Sequence, residues 1–220
     1  MGISMFDILG PVTVGPSSSH TAGAVRIGLA CRTILGEPVQ QAKITFYGSF
    51  ADTYRGHGTD KAVIGGLLGF NTENTQIRDS LQIARQTGLK YEFFTAEEAR
   101  YHPNTLAIEA QGENRKISLR GASIGGGQVR IQELNGFSME AACLMDTLLV
   151  VHKDSPGLLA NIAAILNVAG YNIANLRLAR TKREGDVITV IEIDAPVDQR
   201  TADSLLNVEG VLRVISLPKF

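Results

Sequence analysis

Two short stretches concentrate side chains able to do chemistry. GPSSSHT, Gly15 to Thr21, places three serines, a histidine and a threonine between a Gly-Pro turn signal and a run of helical periodicity. RGHGTDKA, Arg55 to Ala62, sets His57 between two glycines just before another helix start. A helix start leaves several backbone N–H groups without intrahelical partners. Together with the helix dipole they offer a place for a carboxylate or phosphate, and serine hydroxyls add donors. The plainer reading of GPSSSHT is one serine capping the helix and the others solvated. Histidine titrates near neutral pH and is the usual proton-transfer group, while glycines let a backbone approach a ligand closely. A lone loop histidine is ordinarily solvated. Here two of the chain's four histidines occupy matching loop-then-helix settings, and function concentrates on loops that rigid elements position.

Other chemistries fit less well. Ser19 and His20 are adjacent, lack an assignable third acid, and are not in a Gly-x-Ser-x-Gly elbow, which weakens a nucleophile-pair reading. GASIGGGQVRI has no Lys-Ser or Lys-Thr ending and leads into a strand, so it reads as a bulge or sharp hairpin rather than a phosphate-binding loop. Close approach to a partner chain is the alternative there. His102, before Pro103, reads as structural; His152, at a strand end, fits either role. Cys31 and Cys143 are the only cysteines and lie far apart, so neither a disulfide framework nor a metal site is expected of this chain. Cys31 falls on an apolar helix face and reads as a buried thiol.

The elements that would position these residues divide into two parts. With 220 residues, 44% hydrophobic and 20% charged, the chain suits one large domain or two modest ones. A formal charge of -1 gives no basic field for nucleic acid or an acidic membrane. No apolar stretch is long enough to span a bilayer, and MGISMFDILG lacks a signal peptide's charged start and apolar core, making cytoplasm the default.

After GPSSSHT, Ala24, Ile27, Cys31, Ile34 and Leu35 mark one helix face. KITFYGS reads as a strand, and YRGHGTDKAVIGGLLG as a glycine-rich loop leading into a second helix. A third helix is expected over Asp79 to Gln86, then a strand at YEFF and a short helix at TAEEARY. TLAIEA and RKISLRGAS flank the QGEN turn as a hairpin that GQVRIQEL extends. The boundary is expected near Ala141 to Asp146, giving domains 1–145 and 146–220.

The second part reads β-α-β-β-α-β, the split ferredoxin-like order. TLLVVHK is a strand, and DSPG a helix start in which Asp154 or Ser155 caps and Pro156 takes the first position. Leu158, Ile162, Ile165, Leu166 and Ala169 follow at helical spacing up to Gly170. NIANLRLAR alternates as a strand, and VITVIEI reads as a strand buried on both faces. A helix from Asp198 to Asn207 and the strand VLRVISL complete the order. DSPGLLANIAAILNVAGYNIANL resembles an ACT domain, a regulatory module that commonly binds amino acids at domain interfaces. The resemblance implies a regulatory ligand or interface role for Asp154, Gly157, Leu158, Asn172 and Asn175.

Taken together, MFDILGPVTVGPSSSHTAGAVRIG, YGSFADTYRGHGTDKAVIGGLLG and SIGGG resemble the beta chain of the iron–sulfur-dependent L-serine dehydratases. The resemblance covers nearly the whole chain and implies an α+β protein, with an allosteric-substrate-binding-like α/β domain before the ACT domain. It implies conversion of L-serine to pyruvate and ammonia with a [4Fe–4S] cluster. Such a cluster ordinarily needs several cysteine thiolates, so the cluster belongs to a separate alpha subunit, the partner of this chain. By that resemblance Ser17, Ser19, His20 and Thr21 line the substrate site, with His57, Gly58 and Thr59 beside it. His57 is the preferred base for the Cα proton and His20 the alternative. A homodimer through this chain is expected. The rival reading, from the ACT-like end alone, is a stand-alone amino-acid sensor. The GPSSSHT and GHGTD loops argue against it, because a sensor needs only the ACT interface.

Overall fold

A computed structural model describes residues 19–180 and 185–220. The chain divides into two compact units after Asn135. In the first unit, helix α1 (Ala22–Leu35) buries Ile27, Cys31, Ile34 and Leu35 and ends at Gly36, whose φ of 77° is left-handed. Strand β1 (Gln41–Tyr47) follows, burying Ala42, Ile44 and Phe46 while Gln41 and Lys43 are exposed. Next come a short helix α2 (Ser49–Thr53), α3 (Thr59–Leu68), a 3-10 turn (Thr75–Asp79) and α4 (Ser80–Thr87). Strands β2 (Lys90–Ala96), β3 (Thr105–Gln111), β4 (Lys116–Gly125) and β5 (Gln128–Leu134) complete the unit.

Within it the strand order is β2-β1-β3-β4-β5. β1 pairs parallel with β2 and antiparallel with β3. Period-2 burial in β1 and β3 puts Ile44, Phe46, Leu106 and Ile108 in one apolar core with the helices. The β4–β5 turn is both a bulge and a tight hairpin: the register shifts between Ser123 and Gly125, and Gly125, Gly126 and Gly127 all have positive φ. Glycine reaches this backbone without a β-carbon penalty.

One expectation fails here. TAEEARY is not a helix. Thr95 and Ala96 stay in β2, paired with Phe46 and Tyr47, and Glu98 turns the chain by accepting the Arg100 backbone N–H at 3.2 Å and its guanidinium at 2.9 Å. Seven residues ahead of a proline are too few to nucleate a helix against these contacts. Helix α2 forms over a stretch to which the sequence assigns almost no element, and the strand before it ends at Tyr47 rather than running on to Ser49.

The second unit contains β6 (Phe137–Ala141), β7 (Asp146–Lys153), α5 (Leu158–Val168), β8 (Ile173–Arg180), β9 (Asp186–Ile193), α6 (Gln199–Leu206) and β10 (Val211–Leu217). From β7 onward it is the expected β-α-β-β-α-β, in an antiparallel sheet of order β10-β7-β9-β8. Leu148, Val150, Leu158, Ile162, Leu166, Ile191, Ile193 and Leu205 form its core. Asp198 caps α6, accepting the Thr201 N–H at 2.7 Å.

The start of α5 differs from expectation. Neither Asp154 nor Ser155 caps it. Gly157, at φ 82°, immediately precedes Leu158 and no side chain caps the helix. The Asp154 carboxylate pairs with Arg180 at 3.2 Å instead, and the Ser155 N–H turns back to the Lys153 carbonyl. The alternation of β8 is also broken, by a bulge between Ile173 and Asn175. Leu176 packs on the core, whereas Leu178 remains 44% exposed on this edge strand.

Candidate active site at two helix starts

The two histidine loops are brought together by how α1 and α3 pack. A β-carbon on Gly66 would lie 2.1 Å from the Val25 carbonyl oxygen and 2.7 Å from the Leu29 nitrogen. One on Gly28 would lie 2.4 Å from the Val63 carbonyl oxygen. The helices therefore cross backbone against backbone. At about 1.5 Å per residue the crossing is roughly 10 Å from each helix start. There the His20 and His57 rings meet, with centroids 4.6 Å apart and planes tilted by 34°.

Helix α2 meets the His20 ring at its start and the His57 backbone at its end. Ser49, its first residue, places Oγ 3.4 Å from His20 Nε2. Phe50, fully buried, meets the His20 ring edge-on at 5.4 Å. At the other end, the Thr53 carbonyl accepts the His57 backbone N–H at 3.0 Å, and the next carbonyl, of Tyr54, accepts that of Thr59 at 2.8 Å. Gly58, at φ 69°, then opens α3.

The site is poor in compensating partners. Thr21 and Thr59 are 3% and 0% exposed, and their hydroxyls have no hydrogen-bond partner. The same holds for His57 Nδ1 and for Ser123 Oγ. A buried polar atom without a partner carries a desolvation cost, which a bound polar ligand removes. Thr21 stands at the N-cap of α1 but makes no side-chain cap bond, so the serine-cap reading is not realised among the described residues. At the start of α1 the unspent Thr21 hydroxyl beside the helix's first turn favours an anion, whereas at α3 the first N–H groups are already engaged, those of Thr59 and Asp60 by the Tyr54 carbonyl and that of Lys61 by Asp60 Oδ1.

Burial, and secondarily the neighbouring His57, pull the His20 pKa below its usual value. Its neutral form is thus the folded form at pH 7. The associated stability is complete above the unfolded value of about 6.5 and is lost as pH falls through the lower folded value. In an NMR titration of the four histidines, His20 is expected to show a midpoint below 6.5. A midpoint at or above 6.5 contradicts this packing.

The remaining expected residues fall as follows. Ser17 lies outside the described residues. Ser19 is a half-buried turn residue beside His20. His102 accepts the Asn104 N–H at 3.1 Å in a surface turn. His152 is buried with both nitrogens engaged, by the Lys153 carbonyl at 2.7 Å and Thr189 Oγ1 at 2.8 Å, which is a structural role. In the second unit, Asp154, Gly157 and Leu158 sit at one end of the sheet and Asn172 and Asn175 at the other. Ile173 aligns through Ile193 with Asp146, while Arg180 aligns through Val187 with His152. That is about 20 Å along the strands. The Asn172 and Asn175 amides bond to Asp194 and Glu192. Ser49 and Phe50 were not singled out from sequence. Their only signal is their place in the quoted YGSFADTYRGHGTD segment.

The donor set of this chain does not fit a [4Fe–4S] cluster. Cys31 and Cys143 are both buried, and they lie in different units. Burial pushes both thiols up, Cys143 to about 12, so neither is a ready thiolate. Among the described residues no group of three or more His, Cys, Asp or Glu side chains is placed to hold a metal. No helix among them is long and apolar enough to cross a membrane.

Residues 4–134 match the family described as serine dehydratase beta chain. The chain belongs to that family. Residues 147–210 of this beta chain match the ACT domain. It is 41% identical to the "Probable L-serine dehydratase, beta chain" of Bacillus subtilis (strain 168), over 97% of each chain. It is 37% identical to the L-serine dehydratase, beta chain, of Peptoniphilus asaccharolyticus, over 94% of each. Identity to the L-serine dehydratase of Haemophilus influenzae is 34%, over 57% of this chain and 33% of that longer protein.

Proposed function

We propose that this beta chain supplies the substrate-holding and proton-transferring groups of an L-serine dehydratase whose iron–sulfur cluster belongs to a separate alpha chain. The observation that carries the reading is the His20–His57 pair, 4.6 Å apart between two helix starts with unspent buried hydroxyls. The partner's cluster would supply the Lewis acid for the departing hydroxyl. The match to one third of a longer L-serine dehydratase supports a division of one enzyme between two chains.

In this reading the substrate carboxylate lies against the first N–H groups of α1, with the Thr21 and Thr59 hydroxyls and, by resemblance, those of Ser17 and Ser19. The backbone at Gly58 leaves the approach open. His57 takes the Cα proton at a ring nitrogen. The C–H electron pair becomes the Cα=Cβ bond as the β-hydroxyl leaves, giving 2-aminoacrylate. Its imine tautomer hydrolyses to pyruvate and ammonia. His20, kept neutral by burial, adds no second positive charge beside the proton that His57 receives.

The ACT unit is the regulatory module. Asp154, Gly157 and Leu158 lie a sheet length from Asn172 and Asn175, so a pocket using both sets needs two copies of the chain. This fits a homodimer.

Purified alone, the chain is expected to be colourless and inactive. Co-expression with a cysteine-bearing partner and anaerobic purification should yield serine conversion. Active protein containing iron and acid-labile sulfide, made without any partner, overturns the division of labour. Failure of every such partner to confer activity, with amino-acid binding retained, favours the stand-alone sensor.

A further inference from the structure

Helix α1 and strand β4 meet at a hydroxyl that their packing does not use. Alternation along β4 carries Gly121 and Ser123 onto the face toward α1. A β-carbon on Gly121 would lie 3.2 Å from side-chain carbons of Ile27. One on Gly23, in the first turn of α1, would lie 2.1 Å from Ser123 Oγ. Gly23 thus leaves the room that the Ser123 hydroxyl occupies. The position of Ser123 is well held. Its N–H donates to the Asn104 carbonyl at 2.9 Å. Arg26, further along α1, donates to the Gly127 carbonyl at 2.6 Å and pins the β4–β5 turn. Yet Ser123 is 0% exposed and its Oγ has no hydrogen-bond partner. Alanine would fill the same place without orphaning a hydroxyl, so packing gives no reason for a serine.

That hydroxyl stands beside the part of α1 that lacks partners of its own. The first bond of the helix runs from the Val25 N–H to the Thr21 carbonyl at 3.0 Å. The N–H groups of Ala22, Gly23 and Ala24 precede it and have no intrahelical acceptor. Thr21, at the N-cap, brings a second buried hydroxyl without a partner. Two orphaned hydroxyls from different elements therefore flank one first turn, where the helix dipole favours negative charge. We propose that Ser123 is a carboxylate-binding residue: its hydroxyl, with that of Thr21, donates to the substrate carboxylate seated on the first turn of α1. This rests on the proposed function only in naming L-serine as the owner of that carboxylate. A carboxylate only accepts, so the role of the hydroxyl is fixed as donor. An ammonium could use the same oxygen as an acceptor, but the start of a helix disfavours a cation. A bond to a charged acceptor away from water is among the stronger ones.

The test compares L-serine with L-serinamide, which keeps the amino and hydroxyl groups and lacks the carboxylate. In the assembled two-chain enzyme, Ser123→Ala should raise the serine KM about 10-fold or more, the range for a lost bond to a charged group, with kcat within about 2-fold of wild type. Inhibition by L-serinamide should change little, so the preference for carboxylate over amide falls by the same factor. Without ligand, Ser123→Ala should unfold at the wild-type temperature or above it, because the change removes an orphaned hydroxyl. An unchanged serine KM overturns the proposal, as does an equal loss for serine and serinamide. A lower unfolding temperature of the unliganded variant overturns it too, by making the hydroxyl structural. Where no reconstituted pair converts serine, the full chain alone decides. L-serine should then raise the first-unit unfolding temperature of the wild type more than L-serinamide does, and Ser123→Ala should erase the difference. That result would leave the carboxylate site standing and remove the dehydratase reading, whereas no difference between the two ligands in the wild type would remove the site.

Discussion

His57→Ala is expected to lower the turnover of the assembled two-chain enzyme by roughly 100-fold or more, with a much smaller change in the serine KM. General acid–base groups contribute about that much, and a group that acts only in the transition state is read in kcat. His57 is the better base on geometry. Its backbone is fixed by the Thr53 carbonyl, its Nδ1 is buried without a partner, and Gly58 beside it has nothing within 4 Å of where a β-carbon would stand. His57 Nδ1 thus has no bond to give up before it takes a proton, whereas His20 Nε2 is already turned toward Ser49. Assembly with the partner and folded content must be equal to wild type before rates are compared. If the assembled variant keeps near-normal turnover, the base is His20 or a group of the alpha chain, and the GHGTD loop only positions the substrate.

The parts of this molecule written in local chemistry were legible. Gly170 follows a helix end in left-handed backbone, and β9 is a strand buried on both faces, both readable from neighbours in sequence. The elements that failed depend on distant groups. SFADT is too short to show a helical period, and Pro103, about fifty residues away, holds it in place. DSPG carries two good capping residues, but Arg180 takes Asp154, and the helix starts at the one residue able to adopt φ 82°. For the site, sequence identified both histidines by type and by loop setting. It gave no sign that they touch, since 37 positions separate them. Their meeting depends on Gly28 and Gly66. In isolation these look only like poor helix residues within apolar runs.

Those glycines carry the second large effect. Gly66→Ala is expected to destabilise the first unit by about 3 kcal/mol or more, the upper range for forcing a methyl into a packed site. Alanine is the better helix former by about 1 kcal/mol, so propensity alone predicts the opposite sign. The geometry decides against propensity. The added carbon would stand 2.1 Å from the Val25 carbonyl oxygen and 2.7 Å from the Leu29 nitrogen. Both are backbone atoms inside α1, which cannot rotate away as a side chain tip would. The helices must separate, and the crossing is only about two turns from the paired rings. Thermal unfolding followed by a first-unit probe should move down by roughly 10 °C or more for a unit of that size. The ACT unit, with its own core, should keep its transition, so the two units are to be scored separately. The variant should also weaken the contact between the His20 and His57 rings, seen as a rise of the His20 titration midpoint toward 6.5 as the neighbouring ring withdraws. A Gly66→Ala chain as stable as wild type, with the His20 midpoint unmoved, would mean that the crossing yields easily and that something other than α1–α3 packing holds the two histidines together.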